Sequence, residues 1–289
     1  MKHIKFESMP SNFELVLAGD FHVGNADISE HKIQRLKAKL KAKKNIFMSL
    51  GGDQLEAIDV SDKRFNLDEH TGGGMSSRID MQRNAFIEYF TEVSDKILWI
   101  LDGNHEVKWW NQFRPSNDIA EAFKTTYANG AMCKAIFPGF RLLDWHGCGY
   151  INSKAGDSAQ RASNNRISLK RKLRDLPGAD CEVVSCHHFH KIIVAPPNEI
   201  MEMISDKENS KLVSHYTKPQ RIWIDQKKDL YRLPEDDKWF VCSGSFLRSY
   251  VEGRMSYAER FGYKPTQLGV LIVKVKNDKV VDIQPDYLE

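Results

Sequence analysis

Three apolar runs in the first third of the chain each end on glycine beside an acid or an amide. Phe13–Ala18 runs into Gly19-Asp20-Phe21-His22, Asn45–Leu50 into Gly51-Gly52-Asp53, and Ile97–Leu101 into Asp102-Gly103-Asn104-His105-Glu106. Runs of five or six residues bounded by glycine have the length of buried strands. Between the first two, Ser29–Lys44 sets Ile33, Leu36 and Leu40 on one helical face with lysines around them. Between the next two, Ile79–Asp95 also reads as a helix. Strand, helix, strand, helix, strand requires right-handed crossovers and a largely parallel sheet. Ligands of such sheets bind at the carboxyl ends of the strands, where all three motifs fall.

The remainder continues in the same α/β style. Ile119–Tyr127 reads as a helix, and Phe140–Trp145 as a strand ending at His146-Gly147. Asn164–Leu176 is a basic amphipathic helix stopped by Pro177-Gly178. Cys181–Ser185 is a strand leading into His187-His188-Phe189-His190. Trp239–Cys242 and Leu268–Lys276 read as late strands of a second sheet. The polar segment 59–77, with Gly72-Gly73-Gly74 inside it, has the character of a mobile loop at the mouth of a site. No repeat, low-complexity tract or linker divides the chain, so residues 1–289 are expected to form a single domain.

Composition sets the class without naming the chemistry. With 41% hydrophobic and 28% charged residues among 289, the chain is globular. A net charge of +3, from 42 basic and 39 acidic residues, neither demands nor excludes nucleic acid. Five cysteines without a CxxC pair argue against a disulfide framework. There is no signal-length apolar stretch at the N-terminus and no run long enough to span a membrane, so a soluble, cytoplasmic protein is expected.

Asp, Asn and His on strand-end loops make up the donor set of a two-metal hydrolytic site. Two divalent ions stabilise the attacking and leaving oxygens of an in-line phosphoryl displacement when one carboxylate bridges them. Asp20 and His22 alternate along an extended segment and can face one ion; Asp53 is the natural bridge; Asn104 offers an amide oxygen; His146, His188 and His190 complete two nitrogen-rich spheres. Arg78 and Arg83 flank the glycine loop and are candidates to clamp a substrate phosphate. Trp109 and Trp110 are core or loop anchors first and base-stacking platforms second, and the cysteines read as buried small hydrophobes.

These motifs resemble those of the calcineurin-like metallophosphoesterases. The family pattern of Asp-x-His, Gly-Asp, Gly-Asn-His-Asp/Glu, a lone His and Gly-His-x-His is met by Asp20-Phe21-His22, Gly52-Asp53, Gly103-Asn104-His105-Glu106, His146 and His188-Phe189-His190. Gly244-Ser245 matches a glycine-serine turn of many members, and Ser256–Pro265 looks like the tail of phage and prophage members. The resemblance implies a four-layer αββα sandwich of two mixed sheets flanked by helices. It implies that Asp20, His22 and His190 hold one ion, that Asn104, His146 and His188 hold the other, and that Asp53 bridges them. It implies attack by a metal-bridging hydroxide, His105 at the phosphate and leaving oxygen, and Glu106 orienting His105. Mn leads among the metals, with Fe, Zn, Co, Ni or Mg as alternatives. The implied activity is phosphoester hydrolysis, as a phosphodiesterase on nucleic acid or nucleotides ahead of a phosphomonoesterase. A non-catalytic scaffold and the nuclease subunit of a DNA-repair complex stand behind. One departure is His187, which replaces the usual glycine and either points away or competes with His188 as a ligand.

Overall fold

The computed structural model describes residues 1–58, 62, 65, 79–198, 200–206, 211–217, 220–253 and 255–289. The chain begins with β1 (Lys2–Lys5), β2 (Phe13–Ala18), α1 (Glu30–Ala42), β3 (Ile46–Leu50), α2 (Ile79–Phe90) and β4 (Ile97–Ile100). The one-turn α3 (Asn104–Val107) follows, then α4 (Pro115–Phe123), β5 (Thr126–Tyr127), β6 (Met132–Ile136), β7 (Arg141–Trp145), α5 (Ser158–Leu173), β8 (Val183–Cys186) and β9 (Ile193–Ala195). Two hairpins come next, β10 (Ile200–Asp206) with β11 (Lys211–Thr217) and β12 (Ile222–Asp225) with β13 (Leu230–Arg232). β14 (Trp239–Cys242), α6 (Tyr257–Arg260), β15 (Val270–Lys276) and β16 (Lys279–Asp286) complete the order.

The main strands form two six-stranded mixed sheets, ordered β16-β15-β2-β3-β4-β5 and β1-β6-β7-β8-β14-β9. In the first, β2 through β5 are parallel, as the alternating sequence pattern requires. The sheets face each other through an apolar layer containing Leu15, Leu17, Trp99 and Leu271 from one and Ala135, Leu142, Val183 and Val241 from the other. Outside the first sheet, Ile33, Leu36 and Leu40 of α1 and Phe86 and Phe90 of α2 share a core with Val16 and Met48. Outside the second, Leu169 and Leu173 of α5 pack on Leu143, Val184 and Phe240. The layers are therefore helix, sheet, sheet, helix, the expected αββα sandwich.

Four local expectations are corrected. Leu268–Lys276 was expected in the second sheet, but β15 returns to the first, antiparallel to β2, with Leu271 opposite Leu17. The helix expected over Ile79–Asp95 stops at Phe90, and Thr91–Lys96 is a 3-10 turn with Val93 out of helical geometry. The helix expected over Ile119–Tyr127 is shifted back to Pro115–Phe123, because Pro115 suits a first turn and Lys124 turns left-handed at φ 54°, freeing Thr126-Tyr127 as a strand. The basic helix starts earlier than Asn164, where Asp157 accepts a bond from Gln160 N and caps it. The loop expected over 59–77 falls, except for residues 62 and 65, outside the described residues.

Candidate metal centre

The loops after β2 and β3 stay paired beyond the sheet. Asp20 N donates to Gly52 O and His22 N to Asp53 O, each at 3.0 Å, and Glu56 N donates back to Val23 O at 3.0 Å. This extension of the ladder sets Asp20 and His22 beside Asp53. The third loop comes equally close: a Cβ on Gly103 would lie 2.0 Å from Asp53 Oδ1, so only glycine lets Asn104 and His105 approach. From the second sheet, His146 follows β7 directly, and His188 and His190 follow β8. Ser245 Oγ and Phe246 N both donate to Asp20 O, at 2.9 and 3.0 Å, so the turn after β14 closes the same cluster.

The seven candidate ligands meet. His190 Nε2 lies 3.3 Å from Asp20 Oδ1 and 3.3 Å from His22 Nε2. His146 Nε2 lies 3.2 Å from Asn104 Oδ1 and 3.3 Å from Asp53 Oδ2. Asp53 Oδ2 is 3.9 Å from His22 Nε2 and 4.0 Å from His105 Nε2. Asp20, His22 and His190 form one group whose donor atoms lie within 4.8 Å of one another; Asp53, His146 and His188 form another, and His22, Asp53 and His105 a third between them. Two atoms show what such a cluster lacks. Asp20 Oδ1 and His188 Nδ1 are buried without a hydrogen bond of good geometry, a state that native proteins relieve with a water or an ion. Neutral imidazole nitrogens, carboxylates and an amide oxygen suit a divalent transition metal. The residues therefore fit a metal.

The contacts behind the ligands correct one expectation and supply a residue that sequence reasoning missed. Glu106 does not orient His105. Its carboxylate accepts from the backbone N–H of Asp53, Leu55 and Gly103, at 3.0, 2.9 and 2.8 Å, and so ties the Asp53 loop to the Gly103 turn. The Glu56 carbonyl accepts from His105 Nδ1 instead. The Glu56 carboxylate lies 2.9 Å from His22 Nδ1, an arrangement that turns His22 Nε2 towards the cluster. The Gly51 carbonyl does the same for His146, accepting from Nδ1 at 2.8 Å. Glu56 stands three residues after Asp53 on the strand-exit loop, and that spacing was the available signal. His187 points away from the ligands: its ring bonds Ser243 Oγ at 2.6 Å and Asp144 Oδ1 at 3.0 Å, wedged where a Cβ on Gly51 would come within 2.1 Å. His188 remains with the ligand cluster.

The site is strained and highly charged. Asp20, His22, Asp53, His188 and His190 all have φ between 50° and 69°. Asp and His tolerate this region better than most residues, yet each such position costs about 1 kcal/mol or more. Five together approach the scale of a domain's net stability, about 5–15 kcal/mol, so the surrounding packing has to enforce them. Burial works to raise the Asp20 carboxyl, but His190 and His146 together hold it at about 2. Asp53 is likewise kept well below the usual carboxylate range, its burial outweighed by His146, His105 and His22. Burial and the charge of His146 push His188 down to about 4, which leaves its imidazole neutral. Burial disfavours charge on His146 as well, yet Asp53 raises it to about 10, so an arriving cation displaces a proton there.

In its layers, its ligand order and its ligand placement the chain resembles a calcineurin-like metallophosphoesterase. No family model matches it, and no curated protein matches it in sequence. Similar solved structures include a metallophosphoesterase from Sphaerobacter thermophilus, 10% identical, with 95% of this chain and 88% of that one covered at a TM-score of 0.39. The NAD nucleotidase of Haemophilus influenzae is 12% identical, with 95% and 50% covered at 0.37. The nuclease MPE of Pseudomonas putida is 11% identical, with 94% and 87% covered at 0.32. At these levels of similarity only the geometry of the chain itself informs its chemistry.

The other singled-out residues lie elsewhere. Arg83 pairs with Asp118 at 2.6 Å, linking α2 to α4, and is not among the described residues lining the cavity over the ligands. Arg78 lies outside the described residues. Trp109 Nε1 donates to Ala57 O at 2.9 Å, and Trp110 carries Arg114 over its ring at 4.9 Å, so both anchor structure. Four cysteines are buried and Cys148 is exposed, a correction to the expectation of five buried ones. Cys186 lies in the core under α5 and is not a ligand candidate.

Proposed function

We propose that the chain is a dinuclear metal-dependent phosphodiesterase acting on nucleic acid or nucleotide diesters. The observation that carries this reading is the position of the Asp53 carboxylate, whose Oδ2 faces His146 on one side and His22 on the other, at 3.3 and 3.9 Å. Asp20, His22 and His190 would hold one divalent ion, Asn104, His146 and His188 a second, with Asp53 shared and Mn the first candidate. Bound ions of this kind supply a water acidic enough to attack near neutrality and offset charge on the phosphoryl oxygens. His105 supplies what the metals do not. With Nδ1–H engaged by the Glu56 carbonyl, its Nε2 is left for the cavity, where the doubly protonated ring would give its Nε2 proton to a leaving oxygen and return to the neutral form.

The cavity favours a diester over a monoester. It measures about 310 Å³, and beside the candidate ligands its lining includes Ile58, Leu247, Ala258 and Tyr263, with Arg248 and Lys264 as its cationic residues among the described ones. A monoanionic diester has a second organic substituent to lay on that apolar wall. A dianionic monoester would gain more from further cations. The chain as a whole, 1–289, is proposed as one domain, since each sheet shares one apolar layer with the other and one with its own helices. Among the described residues no helix is long and apolar enough to cross a membrane. All five cysteines are free, which supports a reducing, cytoplasmic setting.

The test is hydrolysis of bis-p-nitrophenyl phosphate beside p-nitrophenyl phosphate by chelated protein reloaded with Mn. Metal-dependent turnover that favours the diester and disappears in Asp53→Asn supports the reading. Preference for the monoester makes the chain a phosphomonoesterase. Two bound metals with no turnover of either would turn the search to a scaffold role.

A further inference from the structure

The cavity has a second wall that the ligand motifs do not account for. After Ser245 the chain leaves the sheets and returns at Leu268, the two residues forming an isolated bridge. This excursion is pinned internally. Ser249 Oγ donates to Thr266 Oγ1 at 2.9 Å and accepts from Thr266 N at 2.7 Å; buried Ser256 donates to Ser249 O; Tyr263 N donates to Ala258 O at 2.8 Å. It is rooted on the ligand loops, since Gln267 N donates to His190 O at 2.9 Å. Its side chains are thus in place before a substrate arrives.

Two features at and beside this wall point to one class of ligand, and Tyr263 and Lys264 among them line the cavity itself. The rings of Phe261 and Tyr263 stack at 6.0 Å and 25°, and both residues stay about half exposed, at 55% and 52%. Beside them, Lys264 Nζ donates to Ser153 O at 3.2 Å, Lys191 Nζ to Ile151 O and Lys172 Nζ to Cys148 O at 3.4 Å. Three ammonium groups therefore edge one short loop, and among the described residues none of them forms an ion pair with a carboxylate. Cations tracking a backbone next to exposed aromatic faces are the means by which proteins hold unpaired nucleic acid. A duplex keeps its bases stacked on each other and cannot offer one to Tyr263.

We propose that Tyr263 and Lys264 form a subsite for the nucleotide adjoining the scissile phosphate of a single-stranded nucleic acid. Tyr263, backed by Phe261, takes the base, and Lys264, with Lys191 near it, takes the neighbouring phosphate. The inference rests on the phosphodiesterase reading above.

The experiment compares kcat/KM of the full-length, Mn-loaded protein on a short single-stranded oligothymidylate with that on bis-p-nitrophenyl phosphate. In Tyr263→Ala the ratio of the two should fall about tenfold or more, and Tyr263→Phe should restore it. In Lys264→Ala the ratio should fall and the salt dependence of oligonucleotide KM should flatten by about 0.7 in log–log slope, with recovery in Lys264→Arg. Ratios within twofold of the unaltered protein in both alanine variants, or equal turnover of duplex and single strand, would overturn the subsite alone. Absence of metal-dependent turnover of either substrate by the unaltered protein would overturn the phosphodiesterase reading and the subsite with it.

Discussion

Asp53 Oδ2 and His105 Nε2 lie 4.0 Å apart, and the two residues should fail in different ways when replaced. His105→Ala removes a proton donor but none of the seven proposed ligands. It should lower kcat about 10²- to 10⁴-fold while elemental analysis finds the same metal content as in the unaltered chain. Loss of metal in that variant would make His105 a ligand, as its place in the middle donor group also permits. Glu56→Gln tests the orienting contact on His22. It should weaken metal binding about 10- to 100-fold by titration calorimetry; unchanged affinity would remove Glu56 from the site. The residues that the fold gathers into the candidate site were legible in the sequence because each is an acid, an amide or a histidine at the end of an apolar run. Glu56 was not read from it, since its spacing from Asp53 gains meaning only when the fold brings its carboxylate to His22. Glu106 was misassigned for a related reason: its three backbone partners on two loops are invisible in a linear motif.

Strands were easier to foresee than their sheets. Leu268–Lys276 is plainly a strand by composition, but nothing local tells it to pair with β2, 250 residues earlier, rather than with β14. The hairpins β10–β11 and β12–β13 escaped notice because neither packs a clear apolar face, with Met201, Met203, Leu212 and Ile224 exposed. Helix ends were lost where backbone geometry overrode periodicity, as at the left-handed Lys124. Within the second sheet, Asp180 bonds Lys134 of β6 at 2.6 Å and Arg141 of β7 at 2.7 Å. Burial opposes ionisation of this carboxyl, but Lys134 and Arg141 hold it below its usual value. A lowered carboxyl pKa stabilises the fold above the unfolded value, about 3.9, and the gain is lost as pH falls through the folded value. Asp180→Asn should therefore cost about 1 kcal/mol or less at neutral pH, given solvent screening at this half-buried position. The difference from the unaltered protein should shrink below about pH 4 in urea denaturation; a difference independent of pH would mean that packing, not charge, is at stake.

Across the whole molecule, both sheets and the turn after β14 converge on one cluster of charges, so metal occupancy and global stability should be linked. A ligand that binds only the folded state adds about 2.7 kcal/mol at a hundredfold excess over Kd, or roughly 4–5 °C in Tm for a chain of this size. Chelation should lower Tm by about that amount and re-addition of Mn should restore it, as read by calorimetry; an unchanged Tm would mean that the folded protein holds no metal. The return of β15 to β2 bears also on how the protein is made. Ser245, whose hydroxyl grips the Asp20 carbonyl, is synthesised 225 residues after Asp20. At about 5–20 residues per second that interval is roughly 10–45 s. Throughout it one edge of β2 has no partner and the left-handed loop at Asp20 lacks its clamp. The nascent chain therefore carries all seven candidate ligands once His190 is made, yet holds the Asp20 loop unclamped until the turn after β14 follows.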